Sequence, residues 1–117
     1  MNLLIVDDSA NVRLMIREVL VETDCEIYEC SDGFSAIEHY KKNRPDVVLM
    51  DIKMKNLNGL IATKRILELD SKAKIIIVSN YDDDFMRAET KRVGAIKYFT
   101  KEEIYEIPEY IKTITRN

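Results

Sequence analysis

The 117-residue chain contains no tryptophan, one histidine, two cysteines, two prolines and three glycines. So little glycine and proline excludes collagen-like, linker and low-complexity sequences and points to a chain filled with regular structure. The shortage of histidine and cysteine argues against a zinc centre. Cys25 and Cys30 lie five positions apart and would face opposite sides of one strand, so no disulfide between them is expected. No apolar run approaches the ~18 residues of a membrane span. The N-terminal run from Met1 to Val6 meets two aspartates before a signal-peptide core could form. A cytoplasmic protein without membrane insertion is expected. Positive charge is not in excess either: 18 Lys and Arg stand against 21 Asp and Glu, a net charge of -3, so direct nucleic-acid binding is not expected. What is present is a 46% hydrophobic composition, enough for one domain over residues 1–117 and too short for a separate output domain.

Leu3 to Val6 form a continuous apolar run closed by Asp7, Asp8 and Ser9. Val47 to Met50 and Ile75 to Val78 repeat the pattern and are closed by Asp51 and Ser79. Such runs read as parallel strands buried on both faces. Between them, Val12, Met15, Ile16, Val19 and Leu20 recur at helical spacing after a candidate cap at Ser9, and Ala36, Ile37 and Tyr40 do so after Asp32. Leu60, Ile61, Ile66 and Leu69 predict a third helix from about Asn58-Gly59, Phe85 to Val93 a fourth, and Ala95 to Phe99 the last strand. Ile104, Ile107, Ile111 and Ile114 keep helical spacing across Pro108, which suits a first turn and would kink an interior, so the main final helix is placed from Pro108 onward. The alternation predicts an α/β fold, a doubly wound parallel sheet in three layers.

Sites in such sheets form at the carboxyl ends of strands, near a switch in strand order. Asp7, Asp8, Asp51, Ser79 and Lys101 fall there. If the first and third strands are neighbours, the three carboxylates repel one another in a small crevice unless a cation neutralises them. All-oxygen ligation by carboxylates, a backbone carbonyl and waters is the usual Mg²⁺ arrangement. Singly, each residue has a plainer reading: an Asp-Asp pair caps helices, Ser79 could be a cap, Tyr98 sheet packing, Lys101 a surface lysine, and His39 a surface or half-buried residue. The joint placement carries the weight.

The runs Leu3-Leu-Ile-Val-Asp7-Asp8-Ser9, Asp46-Val-Val-Leu-Met-Asp51-Ile-Lys-Met54, Asn58-Gly59, Ile75-Ile-Ile-Val-Ser79 and Gly94-Ala-Ile-Lys-Tyr98-Phe-Thr-Lys101 resemble the receiver domains of two-component response regulators, over Asn2 to about Ile114. The resemblance implies a flavodoxin-like fold of five strands in order 2-1-3-4-5 with five helices. It implies that Asp51 accepts a phosphoryl group from a phosphohistidine of a sensor histidine kinase or a histidine phosphotransfer protein. Asp8, Asp51 and the Lys53 backbone carbonyl would ligate Mg²⁺, and Asp7 would hold it largely through water. Ser79 would turn toward the phosphoryl group and Tyr98 would move inward with it, changing the face of the fourth helix, fifth strand and fifth helix. The expected protein is not a conventional enzyme but promotes its own phosphotransfer and aspartyl-phosphate hydrolysis. It would signal through protein contacts, with the downstream target and any homodimer left open. The roles also make physical sense: phosphoryl transfer spreads negative charge over the transferring oxygens, and Lys101 and Mg²⁺ would flank it with positive charge.

The pattern is broken in places. Glu102 stands where receivers commonly carry proline after the lysine, so a trans peptide is expected there, which weakens the case for Lys101 reaching the acids. Lys55 replaces another frequent proline, and Asn80 a small residue beside Ser79. Lys53 and Tyr81 occupy the positions resembling those that tune phosphoryl lifetime, and neither suits the orientation of an attacking water, which predicts slow self-dephosphorylation. These departures keep open an adaptor of the same fold that works without phosphorylation. An independent enzyme of small metabolites is a distant third reading.

Overall fold

The computed structural model describes residues 1–115. Five strands and five helices alternate: β1 (Asn2–Val6), α1 (Ala10–Val19), β2 (Glu26–Cys30), α2 (Gly33–Asn43), β3 (Val47–Met50), α3 (Gly59–Leu69), β4 (Ile75–Ser79), α4 (Asp84–Val93), β5 (Lys97–Thr100) and α5 (Ile107–Thr115). All pairings are parallel and the strand order is 2-1-3-4-5. The chain therefore winds one way from β1 to β2 and the other way from β3 to β5, and the switch point lies between β1 and β3.

The two-residue repeat of a strand sends alternate side chains to opposite faces, and here both faces are covered. Leu4, Val6, Val48, Met50, Ile75 and Ile77 pack beneath α2 and α3 with Ala36, Ile37, Tyr40, Ala62 and Ile66. Leu3, Ile5, Val47, Leu49, Ile76 and Val78 face the other way, onto Ile16, Leu20, Ile104, Ile107 and Ile111 of the α1 and α5 layer. Two helix starts carry the expected caps, and a third helix begins where expected, after Asn58. The Ser9 side chain accepts from the Val12 N–H, Asp32 from Ser35 and Asn58 from Leu60.

Several expectations need correction. Met15, Ile61 and Leu69 share helical spacing with core residues yet are 45%, 46% and 42% exposed. They lie on the flanks of stripes narrower than the spacing implied; α3 buries Gly59, Ala62, Thr63 and Ile66 instead. The last strand begins at Lys97 rather than Ala95, because Gly94 takes a left-handed φ of 103° to end α4 and leaves Ala95 and Ile96 in the turn. A 3₁₀ segment, Lys101–Glu106, precedes α5 and buries Ile104. It runs directly into α5 at Ile107, which places Pro108 in the first turn of the helix, where its missing N–H has no intrahelical partner to lose. Both cysteines are free, Cys30 at the end of β2 and Cys25 just outside it. Among the described residues no helix is long and apolar enough to cross a membrane.

Candidate functional site

The strand register builds the pocket. Val6 pairs with Met50 across β1 and β3, so the next residues, Asp7 and Asp51, leave the sheet side by side. The backbone N–H of Asp51 donates to the Val6 carbonyl at 2.9 Å, and that of Asp7 to the Cys30 carbonyl at 3.1 Å, extending the sheet one residue beyond its formal end. Asp7 is 2% and Asp51 5% exposed, whereas Asp8 is open to solvent. One carboxylate oxygen from each of the three lies within 4.8 Å of the others.

Lys101 enters from the start of the 3₁₀ segment. Its ammonium lies 3.0 Å from Asp7 Oδ2 and 3.5 Å from Asp51 Oδ1. The chain contains no cis peptide among the described residues, so Lys101 reaches both acids on an all-trans backbone with Glu102 behind it. The segment is fixed by a reciprocal cap in which the Thr100 N–H donates to the Glu103 carboxylate at 2.8 Å.

The remaining Asp7 oxygen accepts from the Ser9 N–H at 2.9 Å, and Asp51 Oδ1 accepts from Ile52 N–H at 3.0 Å. These bonds do not offset burial at Asp51. Desolvation first, and the adjacent Asp7 charge second, push its carboxyl up to about 6, against the opposing pull of Lys101. For Lys101, burial works to lower the ammonium pKa, but the Asp7 hydrogen bond and the charges of Asp51 and Asp7 outweigh it and the net shift is upward. One ammonium thus serves two buried carboxylates, with a third at the mouth. This is an oxygen-donor set in which positive charge is short, and it suits a hard divalent cation.

The other predicted residues lie around the pocket or away from it. Ser79 is buried at the end of β4, but its hydroxyl accepts from the Tyr81 N–H at 3.2 Å and makes no bond to Asp51. Tyr98 is already buried, and its hydroxyl donates to the Tyr81 carbonyl. Both switch candidates therefore hold the backbone of one residue. Lys53 is exposed in the loop after Asp51, and its ammonium lies 4.2 Å from the centre of the Tyr81 ring, joining the loops that follow β3 and β4. Asn80 is exposed and lines a cavity of about 250 Å³ with Asp82, Thr100, Lys101 and Glu102. Lys55 is exposed, and His39 is partly buried on α2, remote in sequence from the acids.

Gly59 has a role that its place in the motif did not reveal. A Cβ built there would fall 1.8 Å from the Asp51 carbonyl oxygen, and the Gly59 N–H donates to Ile52 O at 2.7 Å. Only glycine allows α3 to start against the backbone of the phosphoacceptor candidate. The signal for it was a glycine directly after a cap, at a helix position where glycine is otherwise unfavourable.

Fold and pocket together define a class: a doubly wound α/β domain with a lysine-bridged cluster of acids at its switch point. Residues 3–112 match the response regulator receiver domain. The chain belongs to that family, the phosphoacceptors of two-component and phosphorelay signalling, and carries the pocket for its own phosphorylation and dephosphorylation chemistry. It is 38% identical over 99 residues to chemotaxis protein CheY of Thermotoga maritima, covering 84% of this chain and 82% of the relative. It is 32% identical over 111 residues to sporulation initiation phosphotransferase F of Bacillus subtilis, covering 94% and 90%. The crystal structure of the CheX-CheY-BeF3-Mg²⁺ complex from Borrelia burgdorferi superposes with a TM-score of 0.92 over 100% of this chain and 90% of that one; at 23% identity the likeness is one of fold.

Proposed function

We propose that Asp51 is the phosphoacceptor, in a Mg²⁺-dependent reaction with a phosphohistidine donor on a sensor histidine kinase or histidine phosphotransfer protein. The observation that carries the assignment is that Asp51, buried at the switch point, takes both the Ile52 N–H and Lys101 at Oδ1 and keeps Oδ2 without a hydrogen bond among the described residues, whereas both oxygens of Asp7 are engaged, Oδ1 by the Ser9 N–H and Oδ2 by Lys101. The Asp51 carboxyl, held at about 6, is ionised at neutral pH and so is a nucleophile, yet is unusually destabilised as an anion. Attack by its oxygen on phosphorus would break the phosphorus–nitrogen bond to the donor imidazole and replace a crowded carboxylate by an acyl phosphate.

Mg²⁺ would be held by Asp8, Asp51, the Lys53 carbonyl and, largely through water, Asp7; when bound it supplies positive charge to the transferring phosphoryl oxygens. Lys101 supplies the second positive group, exchanging part of its hold on Asp51 for a phosphoryl oxygen. Ser79 would turn its hydroxyl toward the phosphoryl group by rotation about its Cα–Cβ bond, which carries the oxygen away from the Tyr81 N–H it accepts from. That release frees a loop to which Tyr98 is also bound, so the local bond reaches the face formed by α4, β5 and α5. Lys53, held over Tyr81, offers donors but no acceptor for the proton of an attacking water, which favours a slowly hydrolysed phosphoryl group.

The domain over residues 1–117 would act as a single receiver, signalling by protein contacts from the cytoplasm and without binding nucleic acid itself. That one relative is a phosphotransferase supports phosphoryl exchange with a protein partner. The departures at Lys55, Asn80 and Glu102 keep the adaptor as the alternative reading. Two-dimensional NMR with and without Mg²⁺ and beryllofluoride separates the readings. Shifts confined to the pocket, leaving α4 and β5 unmoved, support the adaptor; shifts that spread to Tyr81, Tyr98 and α4 support the switch.

A further inference from the structure

The acids at the end of β1 are held from behind by a network that lies outside the pocket. Arg13, one turn into α1, donates from Nη1 to the Asp7 carbonyl at 2.6 Å. Its Nε donates to Glu29 Oε1 at 2.8 Å, and the side chain is only 18% exposed. Arg17, one turn further on, holds the other Glu29 oxygen at 2.7 Å and the Ile27 carbonyl at 3.0 Å. A planar guanidinium has a fixed fork of donors, so gripping Glu29 on β2 sets where the second arm meets the Asp7 carbonyl.

That carbonyl belongs to the peptide joining Asp7 to Asp8. The other groups of Asp7 are also tied down: its N–H to Cys30, its carboxylate to Ser9 and Lys101. Asp8 is the exposed member of the cluster and its carboxylate makes no hydrogen bond or ion pair among the described residues, so the orientation of the preceding peptide is what places it. We propose that Arg13, buttressed by Glu29 and Arg17, is a positioning residue that presets Asp8 for the divalent cation. The inference rests on the metal reading above.

Charge could oppose this role, because a guanidinium near the pocket repels a cation. Glu29 offsets it: its carboxylate sits against Arg13, so the arginine contributes geometry at reduced electrostatic cost. Mg²⁺ demands near-ideal octahedral placement of its ligands, and residues that orient ligands commonly change metal affinity by about 10–100-fold. The two effects predict opposite signs for Arg13→Ala. Lost positioning weakens Mg²⁺ binding, and lost repulsion strengthens it.

The test is a Mg²⁺ titration of the parent, Arg13→Ala and Arg13→Lys, followed by amide NMR shifts of Asp8 and Asp51 well below the melting temperature, where a loss of stability alone leaves the affinity of the folded protein unchanged. The expected result is binding about tenfold weaker in Arg13→Ala. Arg13→Lys, which can reach the Asp7 carbonyl or Glu29 but not both, should fall between. Glu29→Gln provides a second route should Arg13→Ala not fold; it loosens the anchor of the Arg13 fork, and a weakening that persists at high ionic strength, where the uncompensated charge is screened, reports lost positioning. An affinity within twofold of the parent, or a tighter one, in both Arg13→Ala and Glu29→Gln overturns the positioning role alone. No Mg²⁺ response in the parent overturns the metal reading and this inference with it.

Discussion

Replacing Asp51 by asparagine should make the domain more stable, and the gain should depend on pH. Folding moves the Asp51 carboxyl from 3.8 to about 6, because burial and the Asp7 charge disfavour the anion more than Lys101 favours it. A carboxyl whose folded pKa is raised binds its proton more tightly in the native state. Its penalty is absent below the unfolded pKa, grows as pH rises from about 4 to 6, and is complete above that. At 1.36 kcal/mol per unit, the roughly two-unit shift amounts to about 3 kcal/mol at pH 7.5. Asparagine keeps an oxygen to accept from the Ile52 N–H and leaves Lys101 paired with Asp7. Urea unfolding followed by far-UV circular dichroism, in chelator to exclude divalent ions, should therefore show Asp51→Asn more stable by about 3 kcal/mol at pH 7.5, or about 10 °C in melting temperature. The difference should shrink toward zero near pH 4. Saturating Mg²⁺ at pH 7.5 should also narrow it, by stabilising the parent more than the variant. A variant no more stable than the parent at pH 7.5, or a gain equal at both pH values, would refute the picture of an overcrowded anionic pocket.

Other perturbations probe the same framework. Gly59→Ala drives a Cβ into the Asp51 carbonyl and should cost about 3 kcal/mol or more in urea unfolding, with a loss of phosphorylation from displacement of the Asp51 backbone. Lys101→Met removes the cation shared by Asp7 and Asp51; stability at pH 7.5 should fall by about 2 kcal/mol and largely recover near pH 5, as carboxyl protonation relieves the repulsion. Lys53→Asn replaces a side chain held on Tyr81 by an amide able to hold water, and should shorten the lifetime of the phosphorylated form about tenfold in a phosphate-release assay.

The central strands β1, β3 and β4 were the most legible part of the chain, because a parallel strand buried on both faces has to be apolar throughout, as Leu3 to Val6 and Ile75 to Val78 are, whereas β2, largely exposed and carrying two glutamates, shows no such run. The helix starts were equally plain where Ser9, Asp32 and Asn58 supply a side-chain acceptor. Spacing did not tell which flank of each stripe is buried, since that depends on how far a helix rolls on the sheet; Met15, Ile61 and Leu69 mark their helices correctly yet lie exposed for this reason. The acids were legible as a set because strand ends converge at a switch point, and Val6 opposite Met50 fixes Asp7 beside Asp51. The reach of Lys101 was obscured by Glu102, and became apparent only through the 3₁₀ segment and its Thr100–Glu103 cap. Arg13 was invisible to pattern reading: its partners, the Asp7 carbonyl and Glu29, are separated in sequence and meet only when α1 lies against the β1–β2 edge.

The central claim is that Asp51 accepts the phosphoryl group. Intact mass spectrometry after incubation with Mg²⁺ and acetyl phosphate, run beside Asp51→Asn and a receiver of known competence, tests it most directly. The account predicts one acid-labile phosphoryl adduct on the parent and none on Asp51→Asn. An equal adduct on the variant would contradict the assignment of Asp51, and no adduct on the parent, with transfer from its histidine kinase also absent, would contradict phosphoacceptor function altogether.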